Sequence, residues 1–183
     1  MKKLLLTLLL PLITFSSVSY GEEINSLFGI TLYDNAEKYV SSNYINSNKL
    51  KNTETLDGYF NLYVTDEIKT KSPYVSLYML VIDNNNRIHR IYGSNVLMNM
   101  DICQAVQESL LSQLEKRYQI EFGYWEDSYI EFKIYSNYHF TSTDNYFAVQ
   151  CKEIYEKTSS KFQIYLDTPD LGVAIDNFYD SGL

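Results

Sequence analysis

Alternation of apolar and polar side chains at every second residue is the feature that most constrains the fold of this chain. In residues 59–65, one face would carry Phe60, Leu62 and Val64, and the other would carry tyrosine and polar side chains. Because successive side chains of a strand point to opposite faces, this pattern predicts half-buried strands. The alternation recurs in residues 74–82, 87–92, 130–134, 145–151 and 162–166. We therefore expect about six strands in an antiparallel sheet.

The apolar set of each predicted strand indicates which side chains should face the core. These sets are Val75, Leu77, Met79 and Val81; Ile130, Phe132 and Ile134; Phe147, Val149 and Cys151; and Phe162, Ile164 and Leu166. The tyrosines of residues 74–82 then fall on the opposite face.

Helical periodicity is clearest in residues 101–118. Apolar residues recur there every three or four positions, which predicts an amphipathic helix with Cys103 on or beside its core-facing stripe. The stripe comprises Ile102, Cys103, Val106, Leu110, Leu111, Leu114 and Tyr118. Asp34 followed by Glu37 predicts a capped helix ending near residue 44, and Thr168 before Pro169 predicts a C-terminal helix.

The predicted order is helix, three strands, helix, three strands, helix. This order indicates an α+β fold, in which an antiparallel sheet has helices packed on one face and a C-terminal helix follows.

Residues 1–21 resemble a secretory signal peptide. Lys2 and Lys3 precede an apolar run of about a dozen residues, and Ser19 and Gly21 are small residues suited to cleavage. A membrane span needs about 20 apolar residues, so we expect cleavage and no stable membrane insertion afterwards. A single domain of residues 22–183 would remain, exported to a periplasm or secreted.

The two cysteines agree with export. Cys103 and Cys151 are the only cysteines in the sequence. In an oxidising compartment such a pair more often forms a disulfide than two free thiols or half of a metal site. We therefore predict a structural bridge between them and no zinc site.

The net charge excludes one class of partner. The formal charge is −8, and removing Lys2 and Lys3 with the leader changes it to −10. No cluster of Lys or Arg is present that could follow a phosphate backbone. We expect no nucleic-acid partner.

Candidate catalytic and metal-binding residues are few. His139, Ser142 and Asp144 lie close in sequence, but triads are assembled from distant segments, and this stretch is typical of a polar loop. Residues 83–86, Asp-Asn-Asn-Asn, lack the glycine and glutamate of a calcium loop and predict a hairpin turn. We assign no catalytic residue, metal ligand or cofactor.

A resemblance to a known family appears near the start of the predicted domain. Phe28-Gly29-Ile30-Thr31-Leu32, followed by a capped segment and strands, resembles the entry to the small exported repeat of beta-lactamase inhibitor proteins and SmpA/OmlA-type outer-membrane assembly proteins. The resemblance implies a protein-binding module. The lipid-bearing cysteine of the assembly proteins is absent, and no functional residue is transferred.

Tyrosine is the most unusual component, with eighteen in the chain. Several would share the strand face opposite the aliphatic stripe, where they could form an interface or only stabilise cross-strand pairs. The candidate binding face comprises Tyr59, Tyr63, Tyr74, Tyr78, Tyr92 and Trp125.

We expect this face to bind an envelope or extracellular protein or peptide, with surrounding carboxylates selecting a basic partner. The alternatives are a hydrolase that uses paired acidic residues and a carbohydrate-binding module centred on Trp125.

Overall fold

The computed structural model describes residues 23–53, 58–97, 99–155 and 159–180. The predicted leader, residues 1–21, lies outside the described residues.

The main sheet confirms the α+β prediction, with eight antiparallel strands where the sequence predicts about six. Its strands are β3 (Leu50–Lys51), β4 (Tyr59–Tyr63), β5 (Leu77–Asp83), β6 (Ile88–Leu97), β7 (Gly123–Ser128), β8 (Phe132–Phe140), β9 (Tyr146–Ile154) and β10 (Ser160–Asp167). Their spatial order is β3-β4-β5-β6-β10-β9-β8-β7. Two four-stranded meanders therefore meet through their last strands, β6 and β10. A separate hairpin pairs β1 (Ser26–Leu27) with β2 (Ile30–Thr31).

Three α-helices and one 3-10 turn are found in the described ranges: the 3-10 turn Ala36–Lys38, α1 (Ser42–Asn48), α2 (Met100–Tyr118) and α3 (Pro169–Asp180). The prediction of one helix from residue 34 to residue 44 is wrong. Asn35 rather than Asp34 caps the 3-10 turn, and Ser41 then caps α1 by accepting a hydrogen bond from the Tyr44 N–H. Because Ser41 has extended backbone dihedrals, one continuous helix cannot form.

None of the described helices is both long and apolar enough to span a membrane.

One face of the main sheet, called here the core face, is covered by α2 and by the N-terminal segment. Cys103 of α2 and Cys151 of β9 form the predicted disulfide, with an S–S distance of 2.09 Å. Gln107, which is not part of the predicted apolar stripe of α2, is nevertheless buried, and its amide donates hydrogen bonds to the carbonyls of Val149 and Tyr135.

Two strands have the opposite phase to the prediction. In β5 the core-facing residues are Tyr78, Leu80 and Ile82, since Leu80 pairs with the core residue Leu62. In β8 the partner of Cys151 is Tyr135, so Phe132 and Ile134 lie on the other face. Both faces of β5 are apolar or aromatic, so strand register decides between them. In β8 the core-facing set is mostly polar, and only the pairing of Tyr135 with Cys151 shows which face is covered; the set is Lys133, Tyr135, Asn137 and His139.

The second face of the main sheet is called here the open face. The strand register aligns the residues of this face in four rows that cross the sheet, and the members of a row are register partners on neighbouring strands. Written from β7 or β8 towards β4, the rows are Asp127-Ile134-Lys152-Lys161-Val96; Trp125-Ser136-Gln150-Gln163-Ser94-Leu77; Gly123-Tyr138-Ala148-Tyr165-Tyr92-Met79-Tyr63; and Phe140-Tyr146-Asp167-Arg90-Val81-Asn61.

Candidate functional site

A cleft of about 600 Å³ lies between the open face and the C-terminal helix α3. Ile175 and Tyr179 of α3 form one wall, and the middle rows of the open face form the floor. Thr168 at the start of α3 donates its backbone N–H to the His89 carbonyl, which fixes the helix to β6. Leu171 of the same helix is fully buried. Apart from Thr53, the described lining of the cleft therefore comes from strands of the main sheet and from α3.

Two glutamine amides lie side by side in the floor of the cleft. Gln150 donates from Nε2 to the Tyr165 hydroxyl at 2.8 Å, and Gln163 donates from Nε2 to the Tyr92 hydroxyl at 2.6 Å. Trp125 stands in the same row, on the edge strand β7. These hydrogen bonds hold the amides and rings in fixed orientations, so the floor presents planar groups that a ligand can stack on.

A largely buried ion pair anchors the other side of the floor. Arg90 donates from Nε to Asp167 Oδ1 at 2.6 Å and from Nη2 to Asp167 Oδ2 at 2.7 Å. The Arg90 guanidinium also lies 5.3 Å from the centre of the Tyr165 ring. Burial raises the pKa of the Tyr165 phenol, with Tyr146 and Asp167 adding to the shift. Tyr165 therefore stays a neutral hydrogen-bonding group in the floor.

Aromatic rings on the open face continue from Tyr165 towards the end of β8, beside the cleft. The Tyr165, Tyr146, Phe140 and Tyr138 rings form a continuous chain with centroid separations of 5.1 to 6.1 Å. Gly123 permits this packing, because a Cβ at that position would lie 2.6 Å from Tyr138. Sequence reasoning missed Tyr138, Phe140 and Tyr146, although their alternation in the strands was a signal that could have found them.

The predicted binding face is only partly assembled. Tyr63, Tyr92 and Trp125 line the cleft, and Tyr59 lies on the same face beside it. The placements of Tyr74 and Tyr78 are wrong. Tyr78 is only 1% exposed and its hydroxyl accepts a hydrogen bond from the Ser72 N–H, while Tyr74 precedes β5 and packs against the core. The error for Tyr78 follows from the inverted phase of β5, and the error for Tyr74 follows from its position before the strand begins.

A hydroxyl, an imidazole and a carboxylate come together where α3 begins. His89 Nδ1 lies 3.0 Å from Thr168 Oγ1, and His89 Nε2 lies 3.5 Å from Asp83 Oδ2. This arrangement resembles a nucleophile, base and acid series, but Thr168 is 1% exposed and its Oγ1 accepts from the Leu171 N–H. Its hydroxyl therefore caps α3 and is not accessible to a substrate.

The residues of the predicted polar loop do not form a triad. His139 Nδ1 lies 3.1 Å from the Glu121 carbonyl, whereas the Ser142 hydroxyl donates to Glu23. Residues 83–86 form the predicted turn, in which Asp83 Oδ1 accepts from the Asn85 and Arg87 N–H groups. No group of three or more His, Cys, Asp or Glu side chains within the described ranges is placed to hold a metal ion.

Acidic side chains are missing from the lining of the cleft as far as the structure describes it. The lining comprises Thr53, Asn61, Tyr63, Leu77, Met79, Arg90, Tyr92, Trp125, Ile134, Gln150, Lys161, Gln163, Tyr165, Ile175 and Tyr179. Hydrogen bonds lower the carboxyl pKa values of Glu23, Asp34 and Glu126, which lie elsewhere. An acid for glycoside hydrolysis needs a raised pKa, so the described cleft gives no support to the hydrolase alternative.

Comparison with known proteins gives no relative: no family model, curated protein or solved structure matches the chain. The site must therefore be interpreted from its own geometry.

Proposed function

We propose that this chain is an exported binding module whose cleft takes up a peptide segment of another envelope or extracellular protein. The observation that carries the proposal is the cleft itself, which combines three predicted ring anchors, Tyr63, Tyr92 and Trp125, with ordered amides. Rigid aromatic side chains bury a large area with little loss of rotamer entropy, which makes them efficient anchors in interfaces.

Export is part of the proposal and rests on two features. Residues 1–21 have the pattern of a secretory signal, and the Cys103–Cys151 disulfide suits an oxidising compartment. Protein N-terminal sequencing of the chain purified from its own source tests this part. A mature N-terminus near residue 22, in an extracytoplasmic fraction, is the expected result.

Site-specific photo-cross-linking tests the binding site. A photoreactive phenylalanine analogue would replace Tyr63, which is 42% exposed and lines the cleft. The matched control would replace Tyr124, which is 57% exposed but alternates with Trp125 onto the core-face side of β7. We expect a discrete protein adduct from position 63, and none or a different one from position 124. Equal labelling of both positions, or no adduct at either, would argue against the cleft as the binding site.

A glycan ligand is the second candidate, favoured by the row that places Trp125 beside Gln150 and Gln163. An indole ring with neighbouring amides can both stack on a sugar ring and hydrogen-bond to its hydroxyl groups. A glycan array probed with the oxidised protein separates the candidates. Saturable glycan binding that is lost on Trp125→Ala, without any peptide binding, would replace the peptide proposal.

A further inference from the structure

Two lysines oppose each other directly on the open face. Lys152 of β9 and Lys161 of β10 are partners in the antiparallel register, and both are half-buried. Like charges placed directly opposite destabilise a strand pair. Burial lowers the pKa of Lys152, and the charge of Lys161 lowers it further. The unliganded sheet therefore holds two ammonium groups in an unfavourable arrangement.

The nearest groups only partly compensate this repulsion. The Lys152 ammonium lies 3.3 Å from the centre of the Phe132 ring, and the Lys161 ammonium lies 5.7 Å from the centre of the Tyr92 ring. Glu131 favours the charged form of Lys152 from a distance. Within the part of the chain that the structure describes, neither lysine forms an ion pair.

The lysine pair lies at the border of the cleft. Lys161 lines the cleft, whereas Lys152 lies just outside the lining, between Ile134 and Lys161, two lining residues in the same row. The next row holds Trp125, Gln150 and Gln163. A ligand stacked along that row would bring a side group to Lys161, and the Lys152 side chain would have to turn from the Phe132 ring to meet the same group.

We propose that the peptide bound in the cleft is acidic and that one of its carboxylates is held between Lys152 and Lys161. This inference rests on the proposed peptide-binding function. A carboxylate between the two ammonium groups would remove their repulsion and accept a charge-assisted hydrogen bond from each. It also reverses the charge expected for the partner, because the described lining includes Lys161 and no carboxylate, while Arg90, the other cation of the lining, is paired with Asp167.

The overall charge of the chain makes this site selective. With a formal net charge of −8, most of the surface repels an acidic peptide, whereas the lysine pair attracts one locally. The position of the carboxylate along the peptide should therefore be fixed relative to its aromatic or apolar anchor.

The test uses the oxidised chain and a displayed library of random twelve-residue peptides. Panning runs in parallel on wild type, on Lys152→Gln/Lys161→Gln, on the cleft variant Tyr92→Ala/Trp125→Ala, and on the matched charge control Lys71→Gln/Lys116→Gln. Both control lysines are exposed and lie away from the cleft. Circular dichroism establishes that each variant is folded.

Enriched wild-type peptides should share an Asp or Glu at a fixed distance from an apolar residue. Fluorescence polarisation should show affinity falling at least about tenfold in the Lys152→Gln/Lys161→Gln variant, the loss expected for a hydrogen bond to a charged group. The charge control should bind as wild type does, and binding should weaken as salt rises.

Other outcomes separate the two proposals. Peptides that require Tyr92 and Trp125, but carry no shared acidic residue or bind the lysine variant unchanged, would overturn the acidic-peptide inference and leave the proposed function standing. Absence of any peptide that depends on the cleft would overturn both. Binding of polygalacturonate, with no peptide bound, would replace the acidic peptide by an acidic glycan.

Discussion

Breaking the Arg90–Asp167 pair should destabilise the fold strongly, because both partners are largely removed from water. The side chains of Arg90 and Asp167 are only 14% and 7% exposed, and two hydrogen bonds join them. Arg90→Met removes one partner and leaves the Asp167 carboxylate buried. Removing one member of a buried pair typically lowers the free energy of unfolding by about 3–5 kcal/mol.

Urea denaturation of the oxidised chain, followed by far-UV circular dichroism, measures this loss. With a slope of about 2 kcal/mol per molar urea, a loss of 3–5 kcal/mol moves the midpoint down by about 1.5–2.5 M. The double change Arg90→Met/Asp167→Leu should recover most of the loss, since it replaces the pair with apolar side chains and leaves no buried charge.

The single and double variants together check the reasoning. A single-variant loss below about 1 kcal/mol would refute the reasoning, as would a double variant no more stable than the single one. The exposed Lys38–Asp34 pair provides the control, and Lys38→Met should leave the midpoint unchanged within error.

Three further predictions concern stability. Reducing the Cys103–Cys151 disulfide, which closes a separation of 48 residues, should lower the free energy of unfolding by up to about 4 kcal/mol; a urea midpoint that does not move would contradict this. In thermal melts, Gly123→Ala should lower the free energy of unfolding by about 1–3 kcal/mol, because the new Cβ would clash with Tyr138. Gly172→Ala should raise it by about 0.5–1 kcal/mol, because the new Cβ in α3 meets open space. Because the pKa of Tyr165 is raised in the folded protein, the phenol of the unfolded chain ionises first, and the free energy of unfolding should fall above about pH 10. Tyr165→Phe removes this phenol and should make the fall shallower by up to about 1.4 kcal/mol per pH unit.

The parts of the fold that follow from the sequence are those with a single strong pattern. The α2 stripe, the Thr168–Pro169 start of α3 and the Cys103–Cys151 pair could all be predicted, because a helical period, a cap and an oxidising compartment each allow one main interpretation. The repeated order of helix and strands follows from the same patterns.

The phase of β5 could not be predicted, because Leu77 and Met79 are as apolar as Leu80 and Ile82 on the opposite face. The pairing of Leu80 with Leu62 decides it, and that pairing is a long-range contact. The burial of Gln107 depends on long-range contacts as well, because its amide is buried only where two strand carbonyls accept its hydrogen bonds.

The candidate site depends on where α3 lies. The periodicity of α3 predicts a helix but does not indicate which face of the sheet it packs against, so a cleft bounded by Ile175 and Tyr179 could not be predicted. Tyr63, Tyr92 and Trp125 were found because strand alternation places them on the open face. Gln150, Gln163 and the lysine pair were missed, since polar strand residues are ordinarily interpreted as solvent-facing.

Emission from Trp125 tests the central claim most directly, because it is the only tryptophan of the chain and lines the cleft. The oxidised protein would be titrated with the peptides that panning enriches, and affinity would be measured in parallel by calorimetry. We predict a saturable shift or quenching of the emission, with the same dissociation constant as the calorimetric titration. Calorimetric binding with unchanged Trp125 emission would place the ligand outside the cleft and contradict the account.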